Sequence, residues 1–165
     1  MLQTATVFLA TLGPIGQKCP APGTFGSLAG VIAVLLVSWL IEWPLAHNAL
    51  LFIPLIVIGV PICTIAEKIL GKTDPGEIIW DEFTAMPIVF VGLPTSIPFE
   101  ISWTNLIWVV IGFIFFRIFD ILKPLGINRI QHFKSGFGVM IDDVLAAAYA
   151  AILLYLTFTF SLSFF

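Results

Sequence analysis

Charged side chains fall in a few short clusters along the chain. Between them lie uncharged, mostly apolar stretches at residues 19–41, 43–66, 83–99, 101–116 and 144–165. A helix crosses about 30 Å of hydrocarbon with roughly 20 residues, and 45–66 and 144–165 reach that length unaided. Residues 28–42 and 101–116 are shorter and reach it with their neighbours included. Pro87, Pro94 and Pro98 interrupt 83–99, and proline inside a helix removes a hydrogen bond and clashes with the preceding turn. That stretch is predicted as a kinked span or as a helix packed inside a bundle. Residues 4–12 are apolar too and precede the Pro/Gly-rich "GPIGQKCPAPGTFGS". They predict an interfacial or re-entrant helix. No internal repeat is visible. The pattern as a whole predicts one all-α domain over residues 1–165, a polytopic membrane bundle of about five spans.

Composition agrees. The 165 residues are 59% hydrophobic and 10% charged, with a mean hydropathy of +1.09. Soluble domains carry about 25% charged residues, so this is a membrane protein. A net charge of -3 excludes the basic footprint of a nucleic-acid binder. The first basic residue is Lys18, so no cleavable signal with a charged n-region is expected. Cys19 and Cys63 form no CxxC pair, and neither a disulfide nor a thiolate metal site is expected.

Placing the charges on alternating spans gives a topology. If the helix from Leu28 to Glu42 leaves one side, all seven basic residues, Lys18, Lys68, Lys72, Arg117, Lys123, Arg129 and Lys134, fall on that same side. By the positive-inside rule that side is cytoplasmic. Glu67, Asp74, Glu77, Asp81, Glu82, Asp120, Asp142 and Asp143 share it, leaving Glu42 and Glu100 opposite. Snorkelling and topology explain the bases but not the collected acids.

Three stretches carry those acids. In "DPGEIIWDEF", Asp74-Pro75-Gly76 predicts a turn and Asp81-Glu82 opens an apolar run. In "FRIFDILKP", Arg117, Asp120 and Lys123 fall within about 120° of arc on a helix, which Pro124 ends. In "SGFGVMIDD", Asp142 and Asp143 stand side by side, where two carboxylates repel. Hard cations such as Mg²⁺ take oxygen ligands, so Asp81, Glu82, Asp120, Asp142 and Asp143 are the candidate metal-holding set. Arg117, Lys123 and Lys134 could neutralise phosphate oxygens as charge develops. Gly136 and Gly138 could let backbone N–H groups approach an anion at a helix start. "PGTFGSLAG" reads as a second glycine-containing loop before a helix, with Thr24 and Ser27 as caps or phosphate donors.

Simpler roles compete. A single Asp at a helix start is usually a cap, and Arg117–Asp120 could be a structural pair three residues apart. Lys68 and Lys72 read as headgroup contacts, His47 has no role, and His132 could face a phosphate. Clustered membrane carboxylates also mark transporters and proton relays, the alternative function. Those acids usually lie near the midplane, whereas these lie at one boundary. Co-location of all three stretches favours a phosphate site.

In these residues the chain resembles the phosphatidylglycerophosphatase A family of bacterial membrane enzymes. The resemblance runs from about Pro22 to Ala151 and rests on "PGTFGS", "DPGEIIWDEF", "FRIFDILKP" and "GFGVMIDD", in that order. It implies Mg²⁺-dependent hydrolysis of the membrane lipid phosphatidylglycerol phosphate to phosphatidylglycerol and inorganic phosphate. It further implies an acidic core of Asp81, Glu82, Asp120, Asp142 and Asp143, with Arg117 and Lys123 beside it. With the one-sided charge, it implies the bacterial cytoplasmic (inner) membrane, the site facing the cytoplasm. No DxDx[TV], "PSGH" or "DG…AR…D" pattern of other phosphoryl enzymes is present. Attack by metal-activated water is the preferred mechanism, a phosphorylated Asp142 or Asp143 the other. Oligomeric state is left open.

Overall fold

The computed structural model describes residues 2–93, 99–124, 126–127 and 135–163, apart from the side chains of Leu2 and Gln3. All the elements among the described residues are helical. They are α1 (Leu2–Ala10), α2 (Pro14–Lys18), α3 (Pro22–Ile41), α4 (Asn48–Leu70), α5 (Trp80–Val89), α6 (Trp103–Leu122) and α7 (Gly136–Leu162). Short 3-10 helices cover Leu45–His47 and Phe90–Gly92.

Among the described residues, four segments are long and apolar enough to cross a membrane: Pro22–Ile41, Leu45–Leu70, Trp103–Leu122 and Gly136–Leu162. The proline-interrupted stretch is different. Its helix, α5, has 10 residues and packs among α3, α4 and α7. Of the two expectations for 83–99, the helix inside the bundle is therefore the one observed, with residues 94–98 outside the described set. Small residues explain the fit. Ala146, Ala147 and Ala150 of α7 are fully buried and belong to one core with Ala85, Met86 and Val89 of α5 and Val34 of α3. Between membrane helices, such small side chains allow the close approach that dispersion forces need.

The helix ends follow from local chemistry. The α3 helix starts six residues before Leu28, so "PGTFGS" forms its first turns, not a preceding loop. Pro22 at the first helical position is pre-set for this, and its missing N–H is no loss there. Ser102 caps α6 by accepting from Asn105 N at 3.2 Å. Lys123 closes the same helix in a left-handed conformation (φ 43°) immediately before Pro124. Gly71, also left-handed, closes α4. The predicted N-terminal helix is present as α1, and its Val7 and Ala10 pack with Cys63 and Ala66 of α4. Ile79 N donates to Ala10 O at 2.9 Å, tying α1 to the approach of α5.

Candidate active site

The start of α3, the start of α5, the end of α6 and the start of α7 meet around one cavity of about 430 Å³. Its walls include Gly23 and Thr24, then Asp74, Gly76 and Ile78, then Asp81 and Glu82. Arg117, Asp120, Ile121 and Lys123 line it from α6, and Asp142 and Asp143 from α7. All five predicted acids and both predicted bases on α6 therefore come together.

The acids divide into two sets. Asp142 accepts a hydrogen bond from Lys123 Nζ, and Asp120 accepts one from Arg117 Nη1. Arg117 Nη1 also donates to Ser27 Oγ at 3.2 Å. Asp81, Glu82 and Asp143 form the other set: one carboxylate oxygen from each lies within 4.8 Å of the others. Adjacent residues of a helix point about 100° apart. Asp142 and Asp143 can therefore serve different sets, one facing a lysine and the other two acids. The double Asp is a division of labour around a helix.

Electrostatics sharpens the contrast. Asp81 and Glu82 lie on α5, outside the four membrane-length helices. Burial, and then the charge of Glu82, pushes the Asp81 carboxyl well above the usual carboxylate range. Burial, and then the charge of Asp143, pushes Glu82 up to about 8. Burial alone would lower Lys123, but its hydrogen bond to Asp142 and that residue's charge outweigh this, and its ammonium form is favoured.

Asp81 Oδ1, Glu82 Oε2, Asp143 Oδ2 and Arg117 Nε are buried without a hydrogen-bond partner among the described residues. Orphaned buried oxygens are costly and call for a missing partner. Three converging carboxylates with no base of their own have the donor chemistry of a hard-cation site. The residues present fit a divalent cation such as Mg²⁺.

The remaining predicted residues are placed differently. Thr24 lines the cavity. Ser27 is fully buried, donates to Gly23 O at 2.8 Å and holds Arg117 from behind. Gly136 sits against α4, where a Cβ would press on the backbone of Val60 and Thr64, and its N–H donates to Thr64 Oγ1 at 3.0 Å. Gly138 N donates to Ser135 O at 2.8 Å. Neither glycine is among the described lining residues, and Gly136 packs α7 closely onto α4. Arg129, His132 and Lys134 lie outside the described residues.

Of the lining residues not predicted as site residues from sequence, Asp74 and Gly23 bear on the chemistry. Asp74 was legible only as part of a turn, although it belongs to the same acidic stretch as Asp81. Gly23 was hidden in a segment read as a loop. A Cβ at Gly23 would collide with Glu82 Oε1 and come within 3.4 Å of the Arg117 guanidinium. Ala is favoured over Gly in helices by about 1 kcal/mol. Gly23→Ala should therefore leave helix content and melting temperature unchanged or slightly raised, yet lower activity about tenfold or more by displacing Glu82 and Arg117. Circular dichroism and turnover on one preparation check both halves.

The arrangement agrees with what the chain is similar to. The family described as Phosphatidylglycerophosphatase A matches residues 8–158. A Haemophilus influenzae protein named phosphatidylglycerophosphatase A is 42% identical over 139 residues, covering 82% of this chain and 78% of that protein. An Escherichia coli protein of the same name is 38% identical over 152 residues, covering 92% and 79%. A Bacteroides thetaiotaomicron protein, provisionally named a phosphatidylinositol-3-phosphatase, is 35% identical over 136 residues, covering 81% of each. No solved structure matches. By the extent of these matches, the chain belongs to the phosphatidylglycerophosphatase A family.

Proposed function

We propose that this protein hydrolyses phosphatidylglycerol phosphate to phosphatidylglycerol and inorganic phosphate, with a hard divalent cation such as Mg²⁺ at Asp81, Glu82 and Asp143. The observation that carries the reading is the joint placement of three converging carboxylates, each with a buried oxygen lacking a partner, and two bases in one cavity at the end of a membrane bundle. When bound, the cation supplies positive charge that offsets the repulsion of the acids and polarises the phosphoryl group.

The rest of the chemistry belongs to the chain. Arg117 and Lys123 lie where phosphate oxygens can be neutralised as the ester bond breaks. Ser27 and Asp120 fix the Arg117 fork, so its orientation is set before substrate arrives. The described lining residues include no Ser, Cys or His, and Thr24 is the one hydroxyl among them. With a phosphorylated Asp142 or Asp143 as the other route, water is the preferred nucleophile in this reading. Its oxygen bonds to phosphorus as the bond to the glycerol oxygen breaks, a cavity carboxylate takes its proton, and the released alkoxide is protonated in turn. The acids gather at one end of the helices and not along their middles, which favours this reading over a transporter. The described bases Arg117 and Lys123 lie at the same end, which supports a site facing the cytoplasm, and the bacterial relatives support placing the protein in the bacterial inner membrane.

Phosphate release by the purified protein tests the reading. The panel is phosphatidylglycerol phosphate, phosphatidylinositol 3-phosphate and phosphatidic acid, each with Mg²⁺ or a chelator. The first lipid with Mg²⁺ should give the highest kcat/KM. Faster release from the inositol lipid would transfer the headgroup assignment. No release from any of the three would overturn the phosphatase reading.

A further inference from the structure

The buried carboxylate of Glu67, near the end of α4, belongs to neither acidic set. It accepts from Asp74 N at 2.7 Å. The backbone carbonyl of Glu67 accepts from Gly71 N at 2.9 Å and Lys72 N at 3.3 Å, so one residue holds three amides of the following loop. Lys72 Nζ and Glu77 Oε1, 3.2 Å apart, bridge that loop, and Ile78 N donates to Pro75 O at 2.9 Å. Asp74 itself has φ 47°, a left-handed backbone uncommon for a residue with a Cβ but one that Asp and Asn tolerate better than most. The result places Asp74 on the cavity wall with Lys123 and Asp142. Its charge acts on Lys123 together with that of Asp142.

We infer that Glu67 and Asp74 form a positioning relay: Glu67 clamps the loop, and Asp74 so placed holds the Lys123 ammonium toward the phosphate position. The inference rests on the phosphatase reading for its purpose, but the relay has consequences of its own. A buried acid on α4 fixes the loop, the loop presents a second acid, and that acid adds to the hold that Asp142 already has on the Lys123 ammonium. Neither acid needs to touch substrate.

Inorganic phosphate in Mg²⁺ buffer is a probe with a distinguishing sign. Removing an acid from an acid-rich cavity should, by charge alone, tighten anion binding. The relay predicts the reverse. Asp74→Asn, which keeps a residue tolerant of the left-handed backbone, should weaken phosphate binding and lower kcat/KM, each about tenfold. Glu67→Ala should do the same and also speed amide hydrogen exchange across residues 71–77. Glu67→Gln keeps an acceptor for Asp74 N and should restore most of both. In the Asp74→Asn background, Glu67→Ala should cost nothing further, because both act through one carboxylate.

Tighter or unchanged phosphate binding in Asp74→Asn would overturn the relay, as would an undiminished cost of Glu67→Ala in that background. Calorimetric phosphate affinity and exchange rates need no turnover. A wild-type protein that binds phosphate as described but releases none from lipid would instead count against the phosphatase reading alone.

Discussion

Asp142→Asn and Asp120→Asn should each lower turnover per folded enzyme at least about 10²-fold. Both changes keep side-chain shape and remove one charge. Asp142 is 3% exposed and receives Lys123; Asp120 is 8% exposed and receives Arg117. Removing one partner of a buried pair leaves the other charge uncompensated, which destabilises by about 3–5 kcal/mol where burial is complete. Some loss of folded protein is therefore expected, and rates must be normalised to the folded fraction. The separate catalytic consequence is a misdirected base. Lys123 and Arg117 lie where phosphate oxygens are to be met, and each is held there by the carboxylate being neutralised. Glu100→Gln is the matched control, because Glu100 is exposed and outside the cavity. If the acids were mere caps or ion-pair partners, all three variants would turn over equally once corrected for folding. Equal corrected rates would remove these two residues from the active site.

The long apolar intervals and the one-sided charges were enough to read the bundle, because a hydrocarbon solvent permits few other arrangements. The acidic core was legible for a related reason: carboxylates are so costly near hydrocarbon that three clusters on one side need a purpose. What could not be read was how the cluster divides. Nothing in "DD" says that Asp142 turns to Lys123 while Asp143 turns to Asp81 and Glu82, since that depends on how α7 is rotated against α5 and α6. The glycines were ambiguous for the opposite reason. A helix-start glycine that admits an anion and one that admits a neighbouring helix look alike in sequence, and Gly136 packs against α4. Gly23 proved to matter through the volume it leaves to Glu82 and Arg117. The α5 helix was ambiguous because its prolines speak against a membrane-length helix without saying where the shortened one lies. Its burial against the alanines of α7 is a tertiary fact.

Removing divalent cations should abolish turnover and also lower the midpoint of thermal unfolding, and the second effect should map to Asp81, Glu82 and Asp143 alone. A ligand that binds only the folded state stabilises it by RT ln(1 + [L]/Kd), about 2.7 kcal/mol at a hundred times Kd. The convergence of three oxygens within 4.8 Å exists only in the folded chain, since they come from α5 and α7. Adding Mg²⁺ after chelation should therefore raise the unfolding midpoint of the wild-type protein by several degrees. Glu82→Gln should abolish that rise and the activity together. It should still fold, because without a cation Glu82, pushed up to about 8, already holds its proton near neutral pH. Asp142→Asn separates the two functions. It lies outside the converging set, so it should keep most of the Mg²⁺-dependent rise while losing turnover. A wild-type midpoint indifferent to Mg²⁺, with full activity under chelation, would eliminate the cation site. A rise that survives in Glu82→Gln but disappears in Asp142→Asn would place the cation with the other pair of acids.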